Sequence, residues 1–131
     1  MRAVLDTSAL IDPPDLDELE AAISAASLAE LHLGVLVAPS SDERARRLQR
    51  LAAIEAAFDP LPIDASVARE WGRLSAAVAE RGGKPRRRTI DLAIAATANV
   101  HGVALITRNP ADLEVIADLV DLLDPGYPRR S

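Results

Sequence analysis

Short apolar segments alternate with longer segments of helical periodicity along most of the chain, and this order restricts the fold more than any other feature. The candidate strands are residues 2–5, 61–63, 103–106 and 119–123. The clearest candidate helices are residues 40–57, 64–81 and 90–100. Parallel strands need long crossover connections, which are usually helices. The order therefore predicts an α/β fold with a mostly parallel sheet, right-handed crossovers and helices on both faces.

Residues that can cap a helix stand before most of the helical segments. The predicted N-caps are Ser27, Ser40, Asp64, Thr89 and Asn109. Ser27 and Ser40 are each followed three positions later by a glutamate, which is the pattern of a capping box. Pro110 after Asn109 fits the first position of a helix. Residues 21–26 are apolar and fit either a strand or a helix start.

Composition predicts one soluble domain with an aliphatic core. Hydrophobic residues make up 49% of the 131 residues and aromatic residues only 2%. We expect the domain to span residues 1–124, with residues 125–131 as a loose C-terminal tail. No segment has the pattern of a signal peptide, and the longest apolar stretch, residues 21–39, is interrupted by Glu30 and His32. We therefore expect no membrane span.

The chain has no cysteine, which excludes disulfides and thiolate metal sites. This composition fits the reducing cytoplasm, and we expect a cytoplasmic protein.

The net charge of −5 disfavours a general electrostatic nucleic-acid binder, but the basic residues are grouped. The three groups are Arg44, Arg46, Arg47 and Arg50; Lys84, Arg86, Arg87 and Arg88; and Arg129 and Arg130. Only one of the fifteen basic residues is lysine. This preference suits phosphate recognition, although a GC-rich genome would give the same bias. The second group forms a predicted loop just before Asp91, where it could hold a phosphate backbone.

Four acidic residues follow strands or begin helices, at positions that an α/β sheet gathers along one edge. Asp6 ends the first strand, and Glu30, Asp91 and Asp112 fall in the first turns of predicted helices. Ligand sites of open α/β sheets lie at the carboxyl ends of the strands. Each acid also has a purely structural interpretation, because Asp6 could cap a turn and the others could cap or complement helix dipoles.

Four carboxylates held together would repel, so a fold that gathers them needs protons or a cation. Two unit charges about 4 Å apart repel by roughly 4 kcal/mol at an effective dielectric near 20. With no cysteine and no clustered histidine, the ligands would all be oxygen atoms, which select Mg²⁺, Mn²⁺ or Ca²⁺. Such an ion can activate water against a phosphodiester. The spacing leaves this metal site as one interpretation beside the structural ones.

Four segments of the sequence resemble those of the PIN-domain ribonucleases, and within them the VapC-type toxins of bacterial toxin–antitoxin pairs. The segments are VLDTSAL at residues 4–10, SLAELHLG at 27–34, DLAIAATA at 91–98 and LITRNPAD at 105–112. They occur in the family's order and span nearly the whole chain. The resemblance implies a PIN-like three-layer α/β/α fold.

The resemblance also implies roles for particular residues. Asp6, Glu30, Asp91 and Asp112 would hold one or two Mg²⁺ or Mn²⁺ ions and form the catalytic site. Ser8 and Asn109 match polar positions that support the acids by hydrogen bonding. Leu113 stands where family members usually have an aromatic residue.

The function implied is an endoribonuclease that cleaves structured RNA, such as a tRNA, as the toxin of a toxin–antitoxin pair. The implied partners are a second copy of the chain and a VapB-type antitoxin, whose C-terminal segment often places an arginine among the carboxylates. The alternative is a PIN-fold module that binds protein and has weak or no nuclease activity. A phosphoacceptor domain is disfavoured, because it needs adjacent acids after the first strand and a lysine near the last strands, whereas the chain offers Asp6 and Lys84.

Overall fold

A four-stranded, all-parallel sheet forms the centre of the computed structural model, which describes residues 1–15 and 17–125. The strands are β1 (Arg2–Leu5), β2 (Glu20–Ile23), β3 (Ala104–Ile106) and β4 (Leu122–Leu123). Their order across the sheet is β2-β1-β3-β4, and each neighbouring pair is parallel. The predicted α/β class with a parallel sheet is confirmed.

Five α-helices and two 3₁₀ helices connect the strands of the described chain. The α-helices are α1 (Thr7–Ile11), α2 (Ala25–Leu36), α3 (Ser41–Ala57), α4 (Ala65–Glu80) and α5 (Thr89–Val100). The 3₁₀ helices are Pro85–Arg88 and Pro110–Ile116. Among the described residues, no helix has the length and apolar character needed to cross a membrane.

The central strands are covered on both faces, which gives the fold three layers. In β1, Val4 packs into a core with α4 and α5, whereas Ala3 and Leu5 pack into a second core with residues of α1, α2 and α3. In β3, Leu105 joins the first core and Ile106 the second. Successive side chains of a strand point to opposite faces, so an all-apolar strand serves both cores.

Helix ends follow known capping chemistry at several of the predicted positions. The Ser40 side chain accepts a hydrogen bond from the Glu43 amide, and the Asp64 side chain accepts one from the Val67 amide. The helix α4 ends at Glu80 with Arg81 as its C-cap, and Gly82, whose φ is 85°, follows. The amides of Gly82 and Gly83 donate back to the carbonyls of the last turn. A left-handed residue at this position is the usual helix stop, and glycine adopts it without steric penalty.

Two of the predicted N-caps are wrong. The helix α2 begins after Ser24, whose side chain accepts from the Ala26 amide, so Ser27 is a buried residue within the helix. Glu30 consequently lies in the second turn of α2 and not in its first. Thr89 is already the first residue of α5, and no side chain caps that helix. Asn109 holds the N-cap position before Pro110–Ile116, but its side chain makes no capping hydrogen bond.

Two predicted strands are shorter in the structure than in the prediction, and the predicted basic loop is mostly helical. Residues 61–63 contribute only a single bridge, between Leu61 and Ser24, and the last strand is limited to β4. The predicted basic loop is mostly the 3₁₀ helix Pro85–Arg88. On α3, Leu51 and Ile54 are buried, whereas Leu48 is 53% exposed. Residues 126–131, with most of the predicted tail and the basic pair Arg129 and Arg130, lie outside the described residues.

Candidate active site

A pocket of about 240 Å³ opens beside the carboxyl ends of β1 and β3, and all four acids singled out in the sequence line it. We call it the acid pocket; these acids are Asp6, Glu30, Asp91 and Asp112. Ser8 and Asn109, predicted as supporting residues, line the same pocket. Parallel strands bring these residues together because their carboxyl ends meet at one edge of the sheet.

Asp6 is held in place by both the strand before it and the helix after it. Its amide donates to the Ile106 carbonyl, which ties the end of β1 to β3. Its Oδ1 atom accepts from the Ala9 amide at 3.0 Å and from the Ser8 hydroxyl at 2.6 Å. The Ser8 oxygen in turn accepts from the Arg108 amide at 3.0 Å. Ser8 therefore orients Asp6 and also links α1 to the segment that follows β3.

Glu30 reaches the acid pocket from α2 and contacts α1. The Thr7 hydroxyl donates to its Oε1 atom at 2.5 Å, and Thr7 also lies 3.2 Å from the Ser27 hydroxyl. This arrangement contradicts the capping-box interpretation of Glu30, because the carboxylate does not cap its own helix. No local sequence pattern identifies Thr7 as a site residue. Its position next to Asp6 is only a weak indication of such a role. The contact with Glu30 joins residues 23 positions apart, so a local pattern does not reveal it.

Asp91 lies in the first turn of α5, and its environment disfavours the ionised form. Burial is the largest cause that raises its pKa, to about 6, and the charges of Glu30, Asp112 and Asp6 add to the effect in that order. Arg88 acts in the opposite direction. This repulsion shows that the four carboxylates share one electrostatic environment, as is expected of acids gathered in one cluster.

Asp112 lies in the first turn of the 3₁₀ helix Pro110–Ile116 and is paired with a cation of the chain itself. Its Oδ1 atom is 3.2 Å from a guanidinium nitrogen of Arg88. Asn109 places its backbone amide 3.0 Å from the Thr107 hydroxyl, and among the described residues its side chain makes no hydrogen bond to an acid. Leu113, in the position of the expected aromatic residue, is buried and lines the pocket.

The carboxylates fit a hard divalent cation in donor chemistry, but they do not form a closed ligand set. Within residues 1–15 and 17–125, no three acidic or histidine side chains converge closely enough to bind one metal ion directly. Three of the acids instead contact donors of the protein, namely Ser8, Thr7 and Arg88. The pocket still offers only oxygen ligands and carries excess negative charge around Asp91, which is the environment that attracts Mg²⁺ or Mn²⁺.

The second basic group stands beside the acid pocket. Arg88, at the end of the 3₁₀ helix Pro85–Arg88, is directed to Asp112. The other three members are exposed and have no ion pair among the described residues; they are Lys84, Arg86 and Arg87. The site therefore combines a negative pocket with free cations on the segment that leads into α5.

Comparison with known proteins identifies the family. The model of the PIN domain matches residues 3–119. The chain belongs to the PIN-domain family. Among curated PIN relatives, it is 37% identical over 127 residues to "Ribonuclease VapC4" of Mycobacterium tuberculosis, with 88% of this chain and 95% of that protein covered. It is 39% identical over 113 residues to "Ribonuclease VapC5" of the same organism, with 81% and 82% covered.

Solved structures give the same result. The crystal structure of VapBC-5 from Mycobacterium tuberculosis, a member of the VapBC family of toxin–antitoxin systems, contains a chain that superposes with a TM-score of 0.79. The two chains are 35% identical, and the match covers 94% of this chain and 96% of the other. The resemblance to VapC-type PIN domains and the three-layer PIN-like fold are thereby confirmed.

Proposed function

We propose that this PIN-domain chain is a metal-dependent endoribonuclease and the toxin of a toxin–antitoxin pair. The observation that carries the proposal is the acid pocket, where burial and the charges of three other carboxylates raise the pKa of Asp91. Carboxyl groups with strongly perturbed pKa values are concentrated at functional sites. The names of the VapC relatives support ribonuclease chemistry.

Mg²⁺ or Mn²⁺ is the proposed cofactor, held by Asp6, Glu30, Asp91 and Asp112. When bound, the ion would activate water toward a phosphodiester and stabilise the leaving oxygen. The chain's own residues prepare the site for it. Ser8 fixes the orientation of Asp6.

Thr7 and Arg88 hold two of the other acids. Thr7 donates to Glu30, and Arg88 pairs with Asp112. A cation in the pocket would compete with both contacts for the same carboxylates.

RNA is the proposed substrate, in a structured form such as tRNA. Lys84, Arg86 and Arg87 are exposed cations next to the pocket and would bind backbone phosphates. Arg88 directly follows Arg87 in the sequence, and its guanidinium would bind either a phosphate or Asp112. Contacts to phosphate position a nucleic acid without reading its sequence, so this group fits the binding step and not the choice of cleavage site.

A VapB-type antitoxin and a second copy of the chain are the proposed protein partners, acting in the cytoplasm. The VapBC assembly of the similar solved structure supports the antitoxin. The pair of Arg88 and Asp112 illustrates how an arginine, here an internal one, can neutralise an acid of this pocket. An arginine from an antitoxin would act in the same way.

The deciding experiment is cleavage of total RNA by the purified protein with Mg²⁺, with Mn²⁺ and with EDTA, beside the Asp6→Asn variant. Asparagine keeps the shape of Asp6 and removes its charge. We expect discrete fragments with the native protein and metal, and none with EDTA or with Asp6→Asn. Equal cleavage by both proteins would assign the activity to a contaminant and contradict the proposal.

A protein-binding PIN module without catalysis is the second candidate function. It is favoured by the finding that, in the described chain, no three potential ligands converge on a single metal position. If neither protein cleaves RNA while both are folded and both bind the antitoxin, this second function replaces the first.

A further inference from the structure

A second cavity of about 400 Å³ continues from the acid pocket along α2 and α3, and we call it the α2–α3 groove. The two cavities share the residues Thr7, Ile11 and Glu30. The groove then runs past Leu33 of α2 and reaches the basic side of α3. A polymer chain that enters the acid pocket from this side therefore passes along the groove.

Arg50 lines the groove and has no hydrogen bond or ion pair with any residue that the structure describes. Its Nε atom is the single buried side-chain nitrogen or oxygen without a hydrogen bond in the described part of the chain. A buried donor without an acceptor destabilises the fold, so such a group calls for an explanation. An acceptor supplied from outside the chain would satisfy it.

The neighbouring arginines of α3 differ from Arg50, because the protein satisfies them. Arg47 donates to Glu43 at 2.9 Å and to the Gly34 carbonyl at 2.7 Å. Arg46 donates to the same carboxylate, and these two arginines lower the pKa of Glu43. Glu43 is thus shared by two cations and is not hydrogen-bonded to Arg50. The groove therefore keeps a positive charge at Arg50 that no carboxylate of residues 1–15 and 17–125 pairs with.

We propose that Arg50 binds a backbone phosphate of the RNA next to the cleaved position, with the adjoining nucleotide lying in the α2–α3 groove. This rests on the proposed ribonuclease function. The apolar side chains of Ile11 and Leu33, which are 48% and 59% exposed, offer a surface for an unstacked base. The carboxylates of the acid pocket repel flanking phosphates, so cations on either side are needed to hold the strand.

The location of Arg50 gives the RNA a path across the site. The helix α3 packs on α2, whereas the 3₁₀ helix Pro85–Arg88 packs on α4 and α5. The acid pocket takes its walls from α2 on one side and from α5 on the other. Arg50 and the group Lys84–Arg88 therefore flank the carboxylates from different sides. An acidic segment of a protein partner would also provide an acceptor for the Arg50 guanidinium. A polyanion that crosses the acid pocket would, in addition, contact the group Lys84–Arg88 on the other side.

The test compares RNA binding by the native chain, Arg50→Gln and Arg50→Lys, with Arg69→Gln as a matched control. Arg69 is an exposed residue of α4 that lines neither cavity, and its replacement changes the net charge equally. The probe is a fluorescently labelled, single-stranded RNA oligonucleotide of mixed sequence, measured by anisotropy in EDTA at several salt concentrations. Circular dichroism confirms that each variant is folded.

We expect Arg50→Gln to raise the dissociation constant about tenfold, as expected for a lost charge-assisted phosphate contact. The slope of log K against log salt should fall by about 0.7, since one counterion-releasing contact is removed. Arg50→Lys should restore the slope, and Arg69→Gln should leave both quantities unchanged. A merely structural role would not change the salt slope.

An unchanged dissociation constant and slope in Arg50→Gln would overturn the inference and assign the groove to a protein partner. That result leaves the proposed function intact if Asp6→Asn still abolishes cleavage. If the native chain does not bind the oligonucleotide but still cleaves total RNA with metal, the inference about Arg50 fails alone. If it neither binds the oligonucleotide nor cleaves total RNA, both proposals fail.

Discussion

At the scale of single residues, an acid can both cap a helix and line the acid pocket. Asp6 caps α1 through the Ala9 amide and also lines the pocket, so the structural and the functional interpretations of this residue are compatible. Glu30 does not have this dual role, because it is bound by Thr7 and not by its own helix. A capping explanation for an acid therefore does not exclude a place in a site.

Ser8 is expected to act as a positioning residue for Asp6. Ser8→Ala removes the donor at 2.6 Å from the carboxylate and the acceptor of the Arg108 amide. A hydrogen bond to a charged group contributes about 1.5–3 kcal/mol, so we expect kcat to fall about tenfold or more while KM changes little. Steady-state cleavage kinetics with Mg²⁺ measure this, with the exposed Ser66→Ala on α4 as control. A KM effect alone would show that Ser8 serves RNA binding.

Asp91 is expected to destabilise the metal-free protein. Its pKa is about 6 in the folded chain against 3.8 for the free side chain, so the folded state opposes ionisation. The penalty is fully present above pH 6 and is relieved as the pH falls through 6 toward 4, because the folded state takes up the proton first. Asp91→Asn should therefore stabilise the protein in EDTA at pH 7.5, by about 1–2 kcal/mol after allowance for solvent screening.

Thermal unfolding of the native chain and Asp91→Asn, each in EDTA and in Mg²⁺, tests this expectation. The advantage of the variant should shrink at pH 5, and Mg²⁺ should raise the unfolding temperature of the native chain more than that of Asp91→Asn. An Asp91→Asn protein that unfolds at a lower temperature in EDTA would show that the carboxylate stabilises the fold.

At the scale of elements, the sequence predicted helix starts correctly where local chemistry decides them. Ser40 and Asp64 cap α3 and α4 through hydrogen bonds to amides three residues ahead. Ser24 and Ser27 could both cap α2 with a side-chain hydroxyl, and contacts with distant residues decide that Ser24 is the N-cap. Thr97, 73 positions away, donates to the Ser24 hydroxyl, and Leu61 forms a bridge with Ser24. Contacts of that range are not visible in a local pattern.

Asp64 offers a prediction at this scale. Asp64→Ala removes the side-chain cap of α4 and should lower the free energy of unfolding by about 1 kcal/mol, which is a few degrees in unfolding temperature. Cleavage activity at 25 °C should be unchanged, because α4 contributes no residue to the acid pocket. Asp59→Ala, an exposed aspartate before the cap, is the control in the same thermal unfolding experiment. Equal stability of the two variants would show that the cap is dispensable.

At the scale of the whole molecule, the class of fold could be predicted from alternation, whereas the closeness of the acids could not. The buried run Ala3–Leu5 serves two cores, and such all-apolar strands indicate a covered parallel sheet. The contacts of Glu30 with Thr7 and of Asp112 with Arg88 depend on side-chain directions across elements. The positions of the acids in the sequence predicted that they lie at one edge of the sheet. These positions do not show which hydrogen-bond donors contact each carboxylate.

The exposed end of α2 gives the last prediction, which concerns assembly. Leu36 and Val37 are 71% and 63% exposed and adjacent in the chain, and contiguous apolar surface of this kind marks interfaces. We expect the native chain to be a dimer by light scattering, and Leu36→Asp to be a folded monomer, because a charge would be buried without a partner. Val115→Asp, at a 38% exposed position on Pro110–Ile116, should leave the dimer intact. A dimer that persists in Leu36→Asp would exclude this surface and leave it available to the antitoxin.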